Sequence, residues 1–372
     1  MELSFTSEHE ELRQTVRRFM ENQSSEQAVR RVMETEAGYD APTWARMASE
    51  LSLPGLLIPE KFGGAGLSAV EAAIVMEEMG RVLYCGPYLS TLIATEALLQ
   101  IASDQEKAKL LGEIALGKSI ATLAVAEAGG KWNPESIAVT AKQAGQGFTL
   151  DGVKSFVIDG HIADVILVVA RAGNGLGLFR VDKNAKGMER ATLPTLDLTR
   201  KLAKLTFAGT PATQISTGAD ISAPLRRVLA IGIAMLAAEQ VGGAQKCLEM
   251  STEYAKTRLQ FGRPIGSFQA IKHKCADMLV ETEFARSAAY NAAFIAASGE
   301  SDDELPEAAS IAKSYCSEAY FHAAAENIQI HGGMGFTWEH PAHLYFKRAR
   351  ANSILFGDPA SHRQQLAAIL RL

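Results

Sequence analysis

The sequence predicts an α+β protein that is mostly α, in three consecutive parts. An N-terminal helical domain covers residues 1–118, a small central antiparallel β domain covers 119–218, and a C-terminal four-helix bundle covers 219–372. Three observations predict this. Apolar residues recur at helical spacing through the first and last thirds. Short β-type runs cluster in the middle third with no helix between them. Breaks rich in Gly and Pro separate the long helical stretches.

Composition sets the outer limits. The chain has 372 residues, of which 47% are apolar and 21% charged, as in a folded globular protein and unlike a disordered chain. Lys and Arg total 37 against 42 Asp and Glu, a formal net charge of -5. That balance excludes general nucleic-acid binding and leaves room for a local phosphate site. No uninterrupted apolar run reaches the roughly 18 residues of a membrane span; the richest, Val228 to Ala238, contains Gly232. The N-terminus is acidic and polar, unlike a secretory signal. The four cysteines (Cys85, Cys247, Cys275, Cys316) form no Cys-x-x-Cys pair. Small buried thiols in a reducing cytoplasm are therefore expected, with no metal site.

The first third opens with Ser7 and Glu10 as an expected capping box, ahead of Leu12, Val16, Phe19 and Met20 at helical spacing. Further helices are expected over about 42–51, from Ser68 through Met79, near 91–101 and over 104–116. In the middle third, strands are expected over 120–126, 137–142, 148–154, 165–170 and 204–207. Asp151-Gly152 and Asp159-Gly160 are read as turns between them. The absence of Gly-x-Gly-x-x-Gly after a strand argues against a Rossmann domain. The last third predicts helices over 223–259, 267–297 and 307–330 and from Pro341, with an acidic turn over 299–306 and a break at His331-Gly-Gly-Met-Gly-Phe336.

No Gly-x-Ser-x-Gly elbow, Walker loop or His-Glu-x-x-His helix is present. His340 and His343, three apart, are read as a loop-to-helix junction. Gly63-Gly64-Ala65-Gly66 is read as a turn. What stands out is the order helices, β unit, bundle, together with two segments. These are Arg258-Leu-Gln-Phe261-Gly262-Arg-Pro-Ile-Gly-Ser-Phe268-Gln269 and Gln329-Ile-His-Gly-Gly-Met-Gly335-Phe336. With Leu56-Leu-Ile-Pro-Glu60 and Glu77-Glu78-Met79-Gly80, they make the chain resemble the acyl-CoA dehydrogenases over essentially its full length.

The resemblance implies the acyl-CoA dehydrogenase fold and an FAD enzyme. Such an enzyme would convert an acyl-CoA substrate to a trans-2-enoyl-CoA by α-proton abstraction and β-hydride transfer. Electron-transferring flavoprotein would be the acceptor, and the assembly a homo- or hetero-tetramer built as a dimer of dimers. It further implies FAD contacts at Arg258, Phe261, Gln269, Gln329, Gly332 and Gly333 from a neighbouring subunit. Read alone, Arg258 compensates a helix dipole and the glycines end a helix. On the β side it implies ring contacts at Val125, Ala126, Phe156 and Ile158. Here Ala126 replaces the usual Thr, and Ile158 replaces a hydroxyl donor. The segment Gly129-Gly130-Lys131-Trp132 lacks the usual Ser.

The base positions depart further. The family's usual Glu falls on Gly357, and the alternative Glu, on the first long bundle helix, falls on Gly232. Two carboxylates are candidates in their place. Glu239, seven residues and roughly 10 Å along the helix from Gly232, lies among apolar and small residues, as either a base or an interhelical ion pair. Asp358 is either a base or the cap of a helix beginning at Pro359. Three readings follow: a self-sufficient dehydrogenase using Glu239, a non-catalytic or half-site subunit of a heteromeric dehydrogenase, or an oxidase-like or hydratase-like offshoot.

Overall fold

The computed structural model describes residues 5–145, 147–299 and 304–372. Residues 300–303 of the acidic turn expected over 299–306 lie outside the described residues, and 304–306 already belong to a helix. The chain groups into two compact units that cut across the sequential thirds. One comprises Met1–Arg31, Ala69–Tyr84 and Ile233–Leu372; the other comprises Val32–Ser68 and Cys85–Gly232.

The N-terminal helices are α1 (Ser7–Gln23), α2 (Glu26–Met33), α3 (Ala41–Leu51), α4 (Ala69–Arg81), α5 (Tyr88–Ile101) and α6 (Asp104–Ala115). The capping box of α1 lies one residue earlier than expected. Thr6 is the extended residue, its Oγ1 accepts from the His9 amide, and His9 reaches back to the Thr6 amide. Ser7 is already helical, so it cannot cap. Asp40 and Ser103 cap α3 and α6. Helix α2 has no counterpart among the expected helices; its eight residues are too short for a clear periodic signal.

The sheet strands are β1 (Ala121–Ala124), β2 (Thr140–Ala144), β3 (Gly147–Ile158), β4 (Val165–Ala172), β5 (Gly175–Asp182), β6 (Met188–Thr192) and β7 (Leu202–Gln214). The sheet is mostly antiparallel, but β1 and β2 each meet β4 in parallel. Strands β4, β2, β3, β7 and β5 pair in a ring, because β5 returns to β4. Asp151-Gly152 is not a turn. It sits inside β3 at a register shift, where Gly152 has φ +132° and a Cβ would come 2.9 Å from Val139. Asp159-Gly160 does turn the chain, and Asp159 accepts from Ser90 Oγ at 2.7 Å.

The C-terminal part holds α7 (Ser222–Thr257), the two-residue strands β8 (Leu259–Gln260) and β9 (Arg263–Pro264), and then α8 (Gln269–Ser298), α9 (Glu304–His331), α10 (Ala342–Ile354) and α11 (Pro359–Leu370). By length and composition α7 could cross a membrane, but 89% of its apolar window is buried inside the protein, as in a core helix. In the first unit, α9 packs against α8, α10 and α11, and α4 packs against α1 and α8. Helices α4 and α7 approach backbone to backbone. A Cβ on Gly80 would lie 2.0 Å from the Glu239 carbonyl oxygen, and one on Gly242 would lie 1.9 Å from that of Glu77.

Around this crossing, adjacent buried acids are matched by arginines. Arg13 donates to Glu77 at 2.7 Å and to Tyr290 at 2.8 Å, and Arg17 grips both oxygens of Glu78 at 2.8 Å. Arg286 also pairs with Glu77, and Arg81 forms a two-bond pair with Glu249. Forked guanidinium contacts of this kind satisfy carboxylates that burial would otherwise penalise.

Because the partners at Gly80 are backbone atoms, the crossing has nothing that can rotate away. Gly80→Ala is expected to destabilise the protein by about 2 kcal/mol in urea unfolding, as overpacking does. An unchanged midpoint would show that the two helices can separate at no cost.

Candidate active site

The first unit carries the residues expected at a pyrophosphate and adenosine. Helix α7 ends at Thr257, and the Arg258 amide donates to Tyr254 O at 2.8 Å. Leu259 pairs with Pro264 and Gln260 with Arg263, so Phe261 and Gly262 form a two-residue hairpin loop. Both have positive φ, +52° and +76°, as this tight turn requires. A phenyl side chain in that conformation is unusual, and Phe261 is 90% exposed. Exposed aromatic surface on a strained turn marks a surface made to be covered. Arg258, Gln269, Gln329, Gly332 and Gly333 are also exposed, and Arg258 carries no ion pair among the described residues. At Gly332, φ is +60°, and a Cβ there or at Gly333 would meet nothing within 4 Å. This edge therefore offers a free guanidinium, open backbone and an aromatic ring, a set that fits a dinucleotide's phosphates and base.

One contact brings the two motifs together. The Tyr254 ring, one turn before Arg258, stacks on His331 with centroids 4.3 Å apart, and His331 immediately precedes Gly332.

The second unit carries the expected ring contacts, and its polar groups are turned inward. Lys154, fully buried, donates to Val125 O at 2.8 Å and to Glu127 at 2.9 Å. Burial pushes its pKa down to about 8 against the pull of Glu127. Glu127 also accepts from the Ala138 and Val139 amides. Ala126 O accepts from the Ser155 amide at 2.9 Å. Phe156 (φ +57°) is 36% exposed and lies near Gly130. Ile158 is buried, and its carbonyl accepts from Thr122. The side chains at the four expected ring-contact positions are therefore aliphatic or phenyl, and both carbonyls of Val125-Ala126 are committed within the unit. None of these four side chains carries a hydroxyl.

The carboxylates are equally specific. Glu239 is 5% exposed, and its Oε1 accepts from Arg348 at 3.3 Å and Asn352 at 2.9 Å, one turn apart on α10. Arg348 also donates to Tyr84 O. Glu239 thus braces α7 against α10. Asp358 caps α11: its carboxylate accepts from the Ser361 amide at 2.8 Å. Those bonds to Ser361 hold its pKa below the ordinary carboxylate value, the opposite of what a general base needs. At Gly357 φ is +104°, and a Cβ would come 2.9 Å from Ser361 Oγ and 3.2 Å from His362 Nε2. Beneath it lie two groups that sequence patterning missed. His362 bonds Phe356 O, and burial pushes its pKa down to about 4. Buried Lys313 bonds Ser317 and Ser353 O, and burial pushes its pKa down to about 7. Both occupy helical positions that read as ordinary bundle residues. Patterning does not single out Glu96 on α5 either, whose pKa is raised by burial in the second unit.

Residues 6–118, 122–209 and 225–370 match, in turn, the N-terminal, middle and C-terminal domains of acyl-CoA dehydrogenases. The chain belongs to the acyl-CoA dehydrogenase family. Members are FAD flavoproteins. The chain is 35% identical to the acyl-CoA dehydrogenase IpdE2 of Mycolicibacterium smegmatis, covering 98% of this chain and 99% of that one. It resembles a solved structure described as a variant of the Tcur3481-Tcur3483 steroid ACAD (TM-score 0.89, 30% identity, 98% of each chain). It also resembles the ChsE4-ChsE5 complex from Mycobacterium tuberculosis (TM-score 0.91, 25% identity, 100% of this chain and 99% of that one).

Removing Arg348 takes the cation away from a buried carboxylate. Arg348→Met is expected to cost about 4 kcal/mol of stability, and Glu239→Gln in the same chain to recover much of it. Additive losses in urea unfolding would show that Glu239 and Arg348 do not act as a pair.

Proposed function

We propose that this chain is the base-less subunit of a heteromeric FAD-dependent acyl-CoA dehydrogenase. It supplies the adenosine and pyrophosphate half of the flavin site to a partner chain that holds the ring and the base. The observation that carries this reading is Gly357. Its left-handed backbone and the crowding by Ser361 and His362 leave no relaxed place for the side chain the family usually has there. The neighbouring carboxylates do not replace it, since Glu239 is held by Arg348 and Asn352 and Asp358 caps a helix.

FAD, when bound, supplies the acceptor for the β-hydride of an acyl-CoA whose α-proton passes to a carboxylate, and the product is a trans-2-enoyl-CoA. In this division of labour Arg258 holds pyrophosphate oxygens. Phe261 and Gln269 cover the adenosine, and Gln329 with Gly332 and Gly333 lets it approach the backbone. Val125, Ala126, Phe156 and Ile158 form an apolar wall that excludes water. Two relatives described as paired chains, ChsE4-ChsE5 and Tcur3481-Tcur3483, support the heteromeric arrangement. The latter's description as a steroid ACAD supports a bulky polycyclic acyl group. Electron-transferring flavoprotein is the proposed acceptor, an unlike-chain dimer of dimers the assembly, and the cytoplasm the location.

The self-sufficient reading, with Glu239 as base, rests on that residue's burial among small apolar side chains. It requires Glu239 to leave Arg348 and Asn352. Expression with and without a partner distinguishes the two. The chain alone is expected to purify colourless, and co-expression with a homologous chain to give a yellow heteromer that reduces ferricenium. In that heteromer Arg258→Met is expected to lower flavin affinity by at least about tenfold, the scale of one lost charge-assisted contact. Glu239→Gln is expected to leave turnover intact. A yellow, active homo-oligomer that Glu239→Gln inactivates would overturn the proposal.

A further inference from the structure

We infer that Tyr254, His331 and His340 form a ring stack that positions the cofactor-accepting edge of this chain, and that it does so only while both imidazoles are uncharged. The inference rests on the proposed function for which ligand that edge accepts. The stack itself rests on geometry.

Tyr254 and His331 lie 4.3 Å apart at 28°, and His331 and His340 lie 4.3 Å apart at 43°. The three rings join three elements. Tyr254 is on α7, one turn before Arg258; His331 ends α9 and precedes Gly332; His340 precedes α10. A Cβ at Gly332 or Gly333 would meet nothing within 4 Å, and the stack, with the Ser251 hydroxyl donating to Asn327 Oδ1 at 3.0 Å, ties the helix that precedes that open turn to the helix that ends at the arginine.

The hydrogen bonds assign the protons. His331 Nδ1 faces the carbonyl of Asn327 at 2.8 Å, so it carries the hydrogen. His340 Nδ1 accepts from the Ala342 amide at 3.2 Å, so it is bare. Protonating His340 would put an N–H against an N–H and break that bond. Protonating His331, which is 6% exposed, would bury a cation one ring away.

The surroundings oppose charge as well. Helix α2 presents Arg30 with a single acid, Glu26, and α10 presents His343 and Lys347. Arg30 and Lys347 lie over Trp338, which stacks on His343. Burial lowers the pKa of all three histidines. A histidine held below its unfolded value contributes stability above about pH 6.5 that is lost as pH falls. The stack therefore holds at neutral pH and opens in mild acid, separating the Gly332–Phe336 turn from Arg258.

The test follows flavin retention of the co-expressed heteromer from about pH 7.5 to 5.5, alongside imidazole resonances of this chain alone. The wild type is expected to lose affinity by about tenfold per pH unit below the transition, the signature of one linked proton. His340→Phe, which keeps a ring without a charge, is expected to flatten that profile. His340→Ala is expected to weaken retention at every pH. A wild-type profile in His340→Phe, or wild-type retention in His340→Ala at pH 7.5, would overturn the inference. So would imidazoles of His331 and His340 that titrate at or above about 6.5 in the isolated chain. Should the chain hold flavin as a homo-oligomer, the same series run on it tests the stack while the half-site reading falls.

Discussion

The backbone-to-backbone crossing of α4 and α7 is the constraint on which the first unit depends. Gly80 and Gly242 let each helix touch the other's carbonyls, at Glu239 and Glu77. A helix held that closely can neither slide nor rotate without collision. Its orientation fixes where Glu239 points, and its length fixes where Arg258 emerges. The acids flanking the contact, Glu77 and Glu78, are kept in place by Arg13, Arg17 and Arg286. One helix thus carries both the carboxylate that looked catalytic and the cation that looks outward, and their environments differ sharply. Glu239 is turned into an interhelical brace, while Arg258 has no ion pair among the described residues.

The same contrast separates the two proposed halves of the cofactor site. The residues proposed for phosphate and adenosine are exposed, and some sit in strained backbone, as at Phe261. Of the residues proposed for the ring side, Val125, Ala126 and Ile158 are buried and aliphatic, and Phe156 is an exposed phenyl. Lys154 illustrates the cost of that arrangement. An ammonium with no exposed surface is tolerated because Val125 O and Glu127 receive its protons. These strands are well braced, and the Thr122 hydroxyl is committed to Ile158 O.

Much of the framework was readable from residue order. The long bundle helices, the strand cluster, and the motifs around Arg258 and Gly332-Gly333 are carried by local periodicity and by Gly and Pro positions. Such signals survive in one dimension because they act over a few residues. Errors fell where a local signal had two solutions. Asp151-Gly152 has the composition of a turn, but its glycine serves a bulge inside β3, because Val139 lies where a Cβ would be. Ser7 and Thr6 could both cap, and the choice depended on which residue remained extended.

By itself the sequence determined the family, the order of its elements and the presence of glycine at 232 and 357, since these follow from residue identity and spacing. Tertiary structure alone decided what became of the remaining carboxylates and histidines. Whether Glu239 is a base or a brace depends on Arg348 and Asn352, more than a hundred residues away along the chain. His340 lies in the loop before α10 as expected, and only the approach of His331 and Tyr254 makes it part of a stack. Protonation and basicity are set by the groups that surround an atom, and the chain brings those groups together only when it folds.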